Sequence, residues 1–322
     1  MKLHLPVRLF RAVIALMAVV PVFSESAEIP NEYSKYTIST VEDFNDNYNL
    51  STYRAYLLND NLTLTPTILT GGLFRNGSIY FTTYDEEYFG LTFKNFGSSL
   101  FSANYMTFDS LGLLNFENNA GLIYGTDVQF VDNIGSVKIY NNDYVSKQTS
   151  GSSANTISGI VDASDISFLR NNKNISIESN SSSCQHSAYI NEYSSSSTTP
   201  TGTTRAYAAI SQGVINSSTS FTIADTLGSI TISDNQALST RNNSSEDYTQ
   251  YRVDTYAESH AYGGAVYIGN GANMLFENNK AGIKVENNSA SSVATADSFT
   301  YHPDSSQVGS HYYARAYPCQ GR

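Results

Sequence analysis

Four stretches of the chain superpose on one another, and this self-similarity limits the fold more than any other feature. They are residues 120–142 (AGLIYGTDVQFVDNIGSVKIYNN), 158–180 (SGIVDASDISFLRNNKNISIESN), 212–235 (QGVINSSTSFTIADTLGSITISDN) and 263–288 (GGAVYIGNGANMLFENNKAGIKVENN). Each opens near a Gly, continues into an apolar strand and two further short strands, and ends in Asn. A period in the low twenties, interrupted by long insertions, is the mark of a solenoid.

The last two strands of each unit keep a fixed separation. Phe130 precedes Ile139 by nine residues, and the same spacing joins Phe168 to Ile177, Ile223 to Ile232 and Phe276 to Val285. Around them run apolar-x-apolar triplets: Val128 with Phe130, Val137 with Ile139, Ile166 with Phe168, Ile175 with Ile177, Ile230 with Ile232. Alternation of period two marks strands with one buried face. Three such short strands per unit suit the faces of a right-handed parallel β-helix whose turns stack at about 4.8 Å. Asn133, Asn171 and Asn279, with Asp225 as the matching position of the third unit, fall at one corner. Asn tolerates left-handed backbone and bonds locally to the chain, so these positions predict a ladder of side-chain amides along the axis. Gly121, Gly159, Gly213 and Gly264 fall where a corner needs positive φ or close backbone approach.

Upstream the pattern loosens. Gly71-Gly72-Leu73-Phe74 opens a coil, 91–104 reads as the paired strands one residue short, and Leu114 to Asn119 adds a strand. Residues 27–70 fit no unit and are expected to cap the open end of the column. The resulting division is 1–26 as a signal peptide, 27–70 as the cap, 71–288 as coils with insertions, and 289–322 as a polar insert with an abrupt end.

The first 26 residues resemble a secretory address. Lys2, Arg8 and Arg11 form a basic stretch, Ala12 to Phe23 an apolar one, and small residues at Ser24 and Ser26 mark cleavage. The apolar run is short for a membrane span, although an uncleaved anchor remains the alternative. No second apolar segment follows, so no span is expected in the mature chain. The net charge is −11, and losing the three basic residues takes it to about −14. Such a surface argues against nucleic acid and anionic membranes as partners. Cys184 and Cys319 lie 135 residues apart. A disulfide and two unpaired loop thiols are both open readings, and neither makes a disulfide scaffold.

Polar inserts at 143–157, 181–211, 236–262 and 289–317 all enter after the last Asn of a unit. They are rich in Ser, Thr, Asn and Tyr, and are expected as long polar loops on one side of the solenoid, where binding faces often form. Their exits look alike: Arg205-Ala206-Tyr207, His260-Ala261-Tyr262 and Arg315-Ala316-Tyr317. The third leads not to a coil but to Pro318-Cys319-Gln320-Gly321-Arg322, so the chain reads as a fragment or frame-shifted product.

No grouping for catalysis, a cofactor or a metal emerges. His186, His260, His302 and His311 all sit in inserts, and Cys184-x-His186 lacks a second pair of ligands. Asp85-Glu86-Glu87 reads as a solvated turn. No P-loop, GxSxG, HExxH or EF-hand pattern is present. The outward positions are mostly neutral polar residues or Lys: Gln129, Lys138, Ser167, Ser176, Thr222, Thr231 and Lys284. Asp127, Asp165 and Asp225 recur near the second strand, and the first two are the candidates for an alternative reading as a polysaccharide lyase or hydrolase.

The motif Gly263-Gly264-Ala265-Val266 is accompanied by Phe-x-x-Asn at Phe101–Asn104, Phe116–Asn119, Phe130–Asn133, Phe168–Asn171 and Phe276–Asn279. Over roughly 71–288 the chain thereby resembles the repeats of chlamydial polymorphic outer membrane proteins and related autotransporter passengers. The resemblance implies a secreted or cell-surface, non-catalytic adhesin from a Gram-negative bacterium, whose partner is a host-cell or extracellular receptor or glycan. It also implies a translocator barrel on a longer version. Only one exact GGA motif and no barrel strands occur in this chain, which leaves the periplasm or a non-functional truncated product as alternatives.

Overall fold

The computed structural model describes residues 28–47, 52–66, 74–75, 77–84, 87–97, 100–121, 123–148, 155–192, 202–205, 209–247, 253–269, 271–300 and 311–319. The signal peptide, the Gly71–Leu73 opening and Asp85-Glu86 lie outside them. The chain winds into a parallel β-helix, and every strand pairing among the described residues is parallel. A ten-stranded first sheet and a seven-stranded second sheet enclose the core, and sheets of four and five strands extend from it.

One turn shows the construction. Ile123–Val131 lies in the first sheet, with its pairing interrupted once at Thr126. A short corner leads to Val137–Tyr140 in the second sheet. Strict register repeats this turn by turn: Val128 pairs with Ile166, Phe130 with Phe168, Val137 with Ile175, and Ile139 with Ile177. Inward residues alternate with outward ones, so Val128, Phe130, Val137 and Ile139 are fully buried. Gln129, Ser167 and Thr222 form one outward row, and Lys138, Ser176, Thr231 and Lys284 another.

The core is a stack of rings. Phe81, Phe108, Phe130 and Phe168 lie one above another, with centroids 5.3, 5.3 and 4.4 Å apart and nearly parallel planes. Ile223 and then Phe276 continue the row. A second row runs Phe93, Phe116, Ile139, Ile177, Ile232, Val285. Two of the Phe-x-x-Asn matches therefore need correction. Phe116–Asn119 belongs to the second sheet, whereas the match of Phe130, Phe168 and Phe276 is to the first. Phe101 pairs with Ile123 rather than with Phe130, and Asn104 is an exposed mid-strand residue. Phe108 holds the place expected of Phe101, and Leu111 the place of the Asn. The 91–104 segment accordingly straddles a turn boundary.

The amide ladder exists, and there are two. At the end of the second sheet Asn119, Asn142, Asn180, Asn235 and Asn288 are stacked, each Nδ2 donating to the next Oδ1 at 2.9–3.1 Å. Each next Oδ1 also accepts the backbone N–H of the Asn below. Nδ2 further donates to a strand carbonyl of the preceding turn, as Asn180 does to Ile139 at 2.8 Å. At the end of the first sheet Asn133 and Asn171 repeat the arrangement at 2.9 Å. There Thr226, not Asp225, holds the third position, and its N–H donates to Asn279 Oδ1 at 3.1 Å. The left-handed residue is also not the ladder Asn but the one before it: Asn118, Asp132, Asn141, Arg170, Ser179, Asp225 and Asp234 have φ of 52–56°. The backbone turns there, and the following Asn is free to point inward. Gly121 and Gly213 do carry positive φ, at 75° and 62°. Gly159 and Gly264 serve by closeness instead, since a Cβ would come within 2.4 Å of Val214 O and 2.3 Å of Ser289 N.

The column starts earlier than the expected boundary at 71. Ser34–Ile38 and Tyr53–Leu58 already belong to the first sheet, and Leu62–Leu64 to the second. The end is covered by one short helix, α1 (Val41–Asn47). Thr40 caps it: Asp43 N–H donates to Thr40 Oγ1, while Asp43 Oδ2 accepts the N–H groups of Ser39 and Thr40. This reciprocal box fixes the first turn, and it aims Phe44, fully buried, at Tyr56 and Phe81.

The inserts, expected as polar loops, are strands over most of their described length. Asp143–Gln148, Ser181–Glu192, Gln236–Asp247 and Ser289–Thr300 form the third sheet. Asn155–Ser158, Gly202–Arg205, Ala209–Gln212, Val253–Tyr262 and His311–Cys319 form the fourth. Four successive turns, from Ile123 onward, thus each send an arm out from the same corner. Backbone pairing to the arm below supplies what apolar content does not. The likeness among the arm exits is not the register: Tyr262 pairs with Gln212 and Cys319, and His260 with Tyr317.

Position in the ladder sets the cost of losing an amide. Asn180→Ala strips partners from Asn142, Asn235 and Ile139 inside the stack, at about 1–3 kcal/mol for each buried group left unmade. Asn288→Ala sits at the last turn and loses fewer. Urea unfolding is expected to show a much lower midpoint for Asn180→Ala than for Asn288→Ala.

Candidate functional site

Three places hold chemistry-bearing side chains. The first is the outward face of the first sheet. Tyr105, Asp127, Asp165, Ser220 and Asn273 form one row across successive turns. Asp127 and Asp165 are therefore side by side, one strand spacing or about 4.8 Å apart. Gln129 Nε2 donates to Asp127 Oδ2 at 2.8 Å, and Ser220 Oγ to Asp165 Oδ1 at 2.5 Å. Burial pushes the Asp127 carboxyl up; the Gln129 bond opposes this, and the charge of Asp165 adds to it. The residue after Asp165 in the row is Ser220, since Asp225 lies at the corner beyond. The two carboxylates project the same way from neighbouring strands and do not face one another across a cleft.

The second place is the corner after that sheet. Asp109 is fully buried and accepts hydrogen bonds from Tyr80 Oη and from Ser110 Oγ, the latter at 2.8 Å. One turn on, Arg170 Nε and Nη2 donate to the two oxygens of Asp132 at 2.9 and 2.7 Å. Burial pushes the Asp109 carboxyl up despite its two donors and the nearby Arg170. Burial and the Asp109 charge push the Tyr80 hydroxyl up as well. The Arg170–Asp132 fork ties two turns together at a residue with φ of 53°.

The third place is the interior between the stacked arms. Ser239 and Ser259, one from each sheet, are both fully buried, and Ser259 Oγ donates to Ser239 Oγ at 2.8 Å. Small side chains line this interior: Ser182, Cys184, Ala237 and Ala261. Cys184 is a buried thiol, outside any disulfide and within a strand, which corrects both the loop-thiol reading and a bridge to Cys319. Arg241 is also fully buried, and its three guanidinium nitrogens have no hydrogen-bond partner among the described residues. Burial pulls it down to about 10. No described group of three His, Cys, Asp or Glu residues could hold a metal ion.

The repeat-motif residues are structural in placement. Asn119, Asn133, Asn171 and Asn279 hold ladder positions, and Phe116, Phe130 and Phe168 are core. Val266 starts the first-sheet strand in the row of Ile123, Val161 and Ile215, with Gly263 at φ 57° before it. Phe74 pairs with Phe101, the neighbour of Ile123, so Phe74 and Val266 share one row. The Tyr80–Asp109 pair and Arg241 carry no repeat signal. A lone Arg in a run of Ser and Asn, and an Asp directly after Phe108, were the only marks available.

Two outcomes follow from these burials. The folded protein holds the Asp109 proton to a higher pH than the unfolded chain does, so this group favours folding at low pH and opposes it as pH rises through its folded pKa. Asp109→Asn keeps an acceptor for Tyr80 and is expected to flatten that fall in thermal melts taken upward from the ordinary carboxylate range. Arg241→Met removes an uncompensated buried charge and is expected to raise stability by about 1–3 kcal/mol, read by urea denaturation. No helix among the described residues is long and apolar enough to cross a membrane. No family model, no curated protein and no solved structure matches this chain.

Proposed function

We propose that this chain is a non-catalytic, extracellular β-helical passenger whose column is a rigid spacer and whose stacked arms bind a surface partner. The observation that supports this reading is the arms themselves. Four successive turns send polar excursions out from one corner, and these pair in register into a wall carried on an apolar core. Such a wall offers a repetitive surface held at fixed spacing by the scaffold. The leader-like first 26 residues and the resemblance to autotransporter passengers add export and display at a Gram-negative surface. A receptor or glycan on a host cell or extracellular surface is the partner class.

A polysaccharide-active enzyme is the second reading, and the raised Asp127 beside Asp165 is what favours it. Glycosidic cleavage by two carboxyls needs them on either side of a bond. Asp127 and Asp165 stand on the same side, and this favours binding over catalysis. A reducing-sugar assay over a polysaccharide panel, repeated with Asp127→Asn and Asp165→Asn, tests it; activity abolished by those changes would establish the enzyme.

The adhesive reading is tested by replacing 181–211 and 236–262 with short turns and measuring labelled protein on cultured epithelial cells by flow cytometry. The intact chain should bind saturably, and the shortened one at least tenfold more weakly, with the β-sheet circular dichroism of the column retained. Equal binding by a folded, shortened protein would refute the role of the arms.

A further inference from the structure

Arg241 sits where a charge is most costly. It is fully buried between the third and fourth sheets, and Nε, Nη1 and Nη2 all lack a hydrogen-bond partner among the described residues. Strand alternation aims it there: Ala237, Ser239 and Arg241 are buried, whereas Leu238 and Thr240 between them are only partly so. Ser239 Oγ accepts from Ser259 Oγ, so this side of the strand faces the opposite sheet. No carboxylate occupies the rows around it. The row of Arg241 across the arms reads His186, Arg241, Ala294, and the next reads Cys184, Ser239, Ser292. On the other sheet the rows read Ala209, Ser259, Ala316 and Ala257, Ala314. None of these positions is Asp or Glu. Among the described residues only Cys184 favours the charged form of Arg241, and burial opposes it.

A second donor sharpens the requirement. Ser292 Oγ is shielded from solvent and also lacks a partner among the described residues. Ser292 pairs with Ser239, and two residues on, Ala294 pairs with Arg241. Diagonal neighbours of this kind, on one side of a sheet, lie within reach of a long side chain. Guanidinium nitrogens donate and a hydroxyl can donate, so the complement is a negatively charged acceptor. A buried water would satisfy the N–H groups but leave the charge uncompensated. One guanidinium also sets the charge of the ligand. A doubly charged oxyanion would carry an excess negative charge into the interior, and that is costly for the same reason. The other buried side chains of this interior are small, namely Ser182, Cys184, Ala237 and Ala261, and a compact sphere makes no demand on their geometry.

We propose that the interior of the arms binds a monovalent anion of halide size, held by the Arg241 guanidinium and the Ser292 hydroxyl. The ion joins the arm of Gln236–Asp247 to that of Ser289–Thr300. It turns a buried charge that opposes folding into a link between two layers. The site lies inside the arms and does not depend on what their outer surface meets. It therefore stands or falls apart from the adhesive reading.

The test compares thermal melts of the full chain in sodium bromide and in sodium gluconate at equal ionic strength, gluconate being too large to be enclosed. The wild type is expected to melt about 3–5 °C higher in bromide, with a shift that grows with the logarithm of concentration. Arg241→Met should shift by less than about 1 °C, and Ser292→Ala by about half the wild-type amount. The gain given above for Arg241→Met is that of the anion-free protein. That variant should therefore outlast the wild type in gluconate and lose its lead in bromide. Sodium sulfate, which stabilises folded proteins generally by exclusion, should raise wild type and variant alike. If a variant does not fold, the anomalous signal of bromide in crystals of the unmodified protein decides, with a peak expected within hydrogen-bond reach of the Arg241 guanidinium. Equal bromide shifts in wild type and Arg241→Met, or bromide peaks confined to the surface, would overturn the proposal. So would a wild type that outlasts Arg241→Met in gluconate, since the guanidinium would then have its partner within the chain. Sulfate matching bromide in the wild type alone would overturn the halide and leave an oxyanion site.

Discussion

The corners decide whether this chain can stack at all. Each turn reverses course between layers that exclude water, and every N–H and C=O trapped there needs a partner. The Asn side chain supplies both halves of that need. Its Nδ2 donates to a carbonyl of the turn below and to the next amide, while its Oδ1 accepts from the Asn behind it. Asp has no donor at neutral pH, and Ser cannot offer both groups in one plane. The interruption at Thr226 shows how much slack exists: its N–H still reaches Asn279 Oδ1, so the corner closes although one amide is missing.

The apolar interior follows from the corners. Once turns are fixed in register, equivalent side chains are forced above one another, and their chemistry must tolerate close stacking. Flat rings do so at Phe81, Phe108, Phe130 and Phe168, and β-branched chains do so at Ile139, Ile177 and Ile232. The two outward faces are then left to vary. One carries the Lys94–Glu117 and Lys284–Glu286 pairs, and the other carries Tyr105, Tyr124, Asp127 and Asp165. Function on such a scaffold belongs to those outward rows and to the arms, because the inward rows are fully committed to stacking.

Much of the column was legible in the sequence, for a physical reason: register forces repetition. The nine-residue step from Phe130 to Ile139 survives in every later turn because two sheets must meet the same corner. The earlier turns hid themselves. Phe101–Asn104 copies the motif by coincidence, while Phe108, the true neighbour of Phe130, precedes Leu111 rather than Asn. The arms hid for a different reason: runs of Ser, Thr and Asn carry no apolar alternation, yet they form strands. Their stability comes from backbone ladders and small inward residues, and the alternation of Ser182 with Cys184 or Ala237 with Ser239 is a faint signal beside Phe and Ile. Of the outward face, Asp127 and Asp165 were visible as a recurrence, but Tyr105 was not. Only the pairing of its strand with Ile123–Val131 brings it next to Asp127.

The helix lid gives the column a direction. Phe44 closes the stack beneath Tyr56 and Phe81, whereas Met274, Leu275, Ile283 and Val285 of the final turn stand 41–61% exposed. In a solenoid each layer leans only on its neighbours. The helix-covered extremity is therefore a template: its sealed layers set the pitch for those laid on them, as the first winds of thread on a bobbin do.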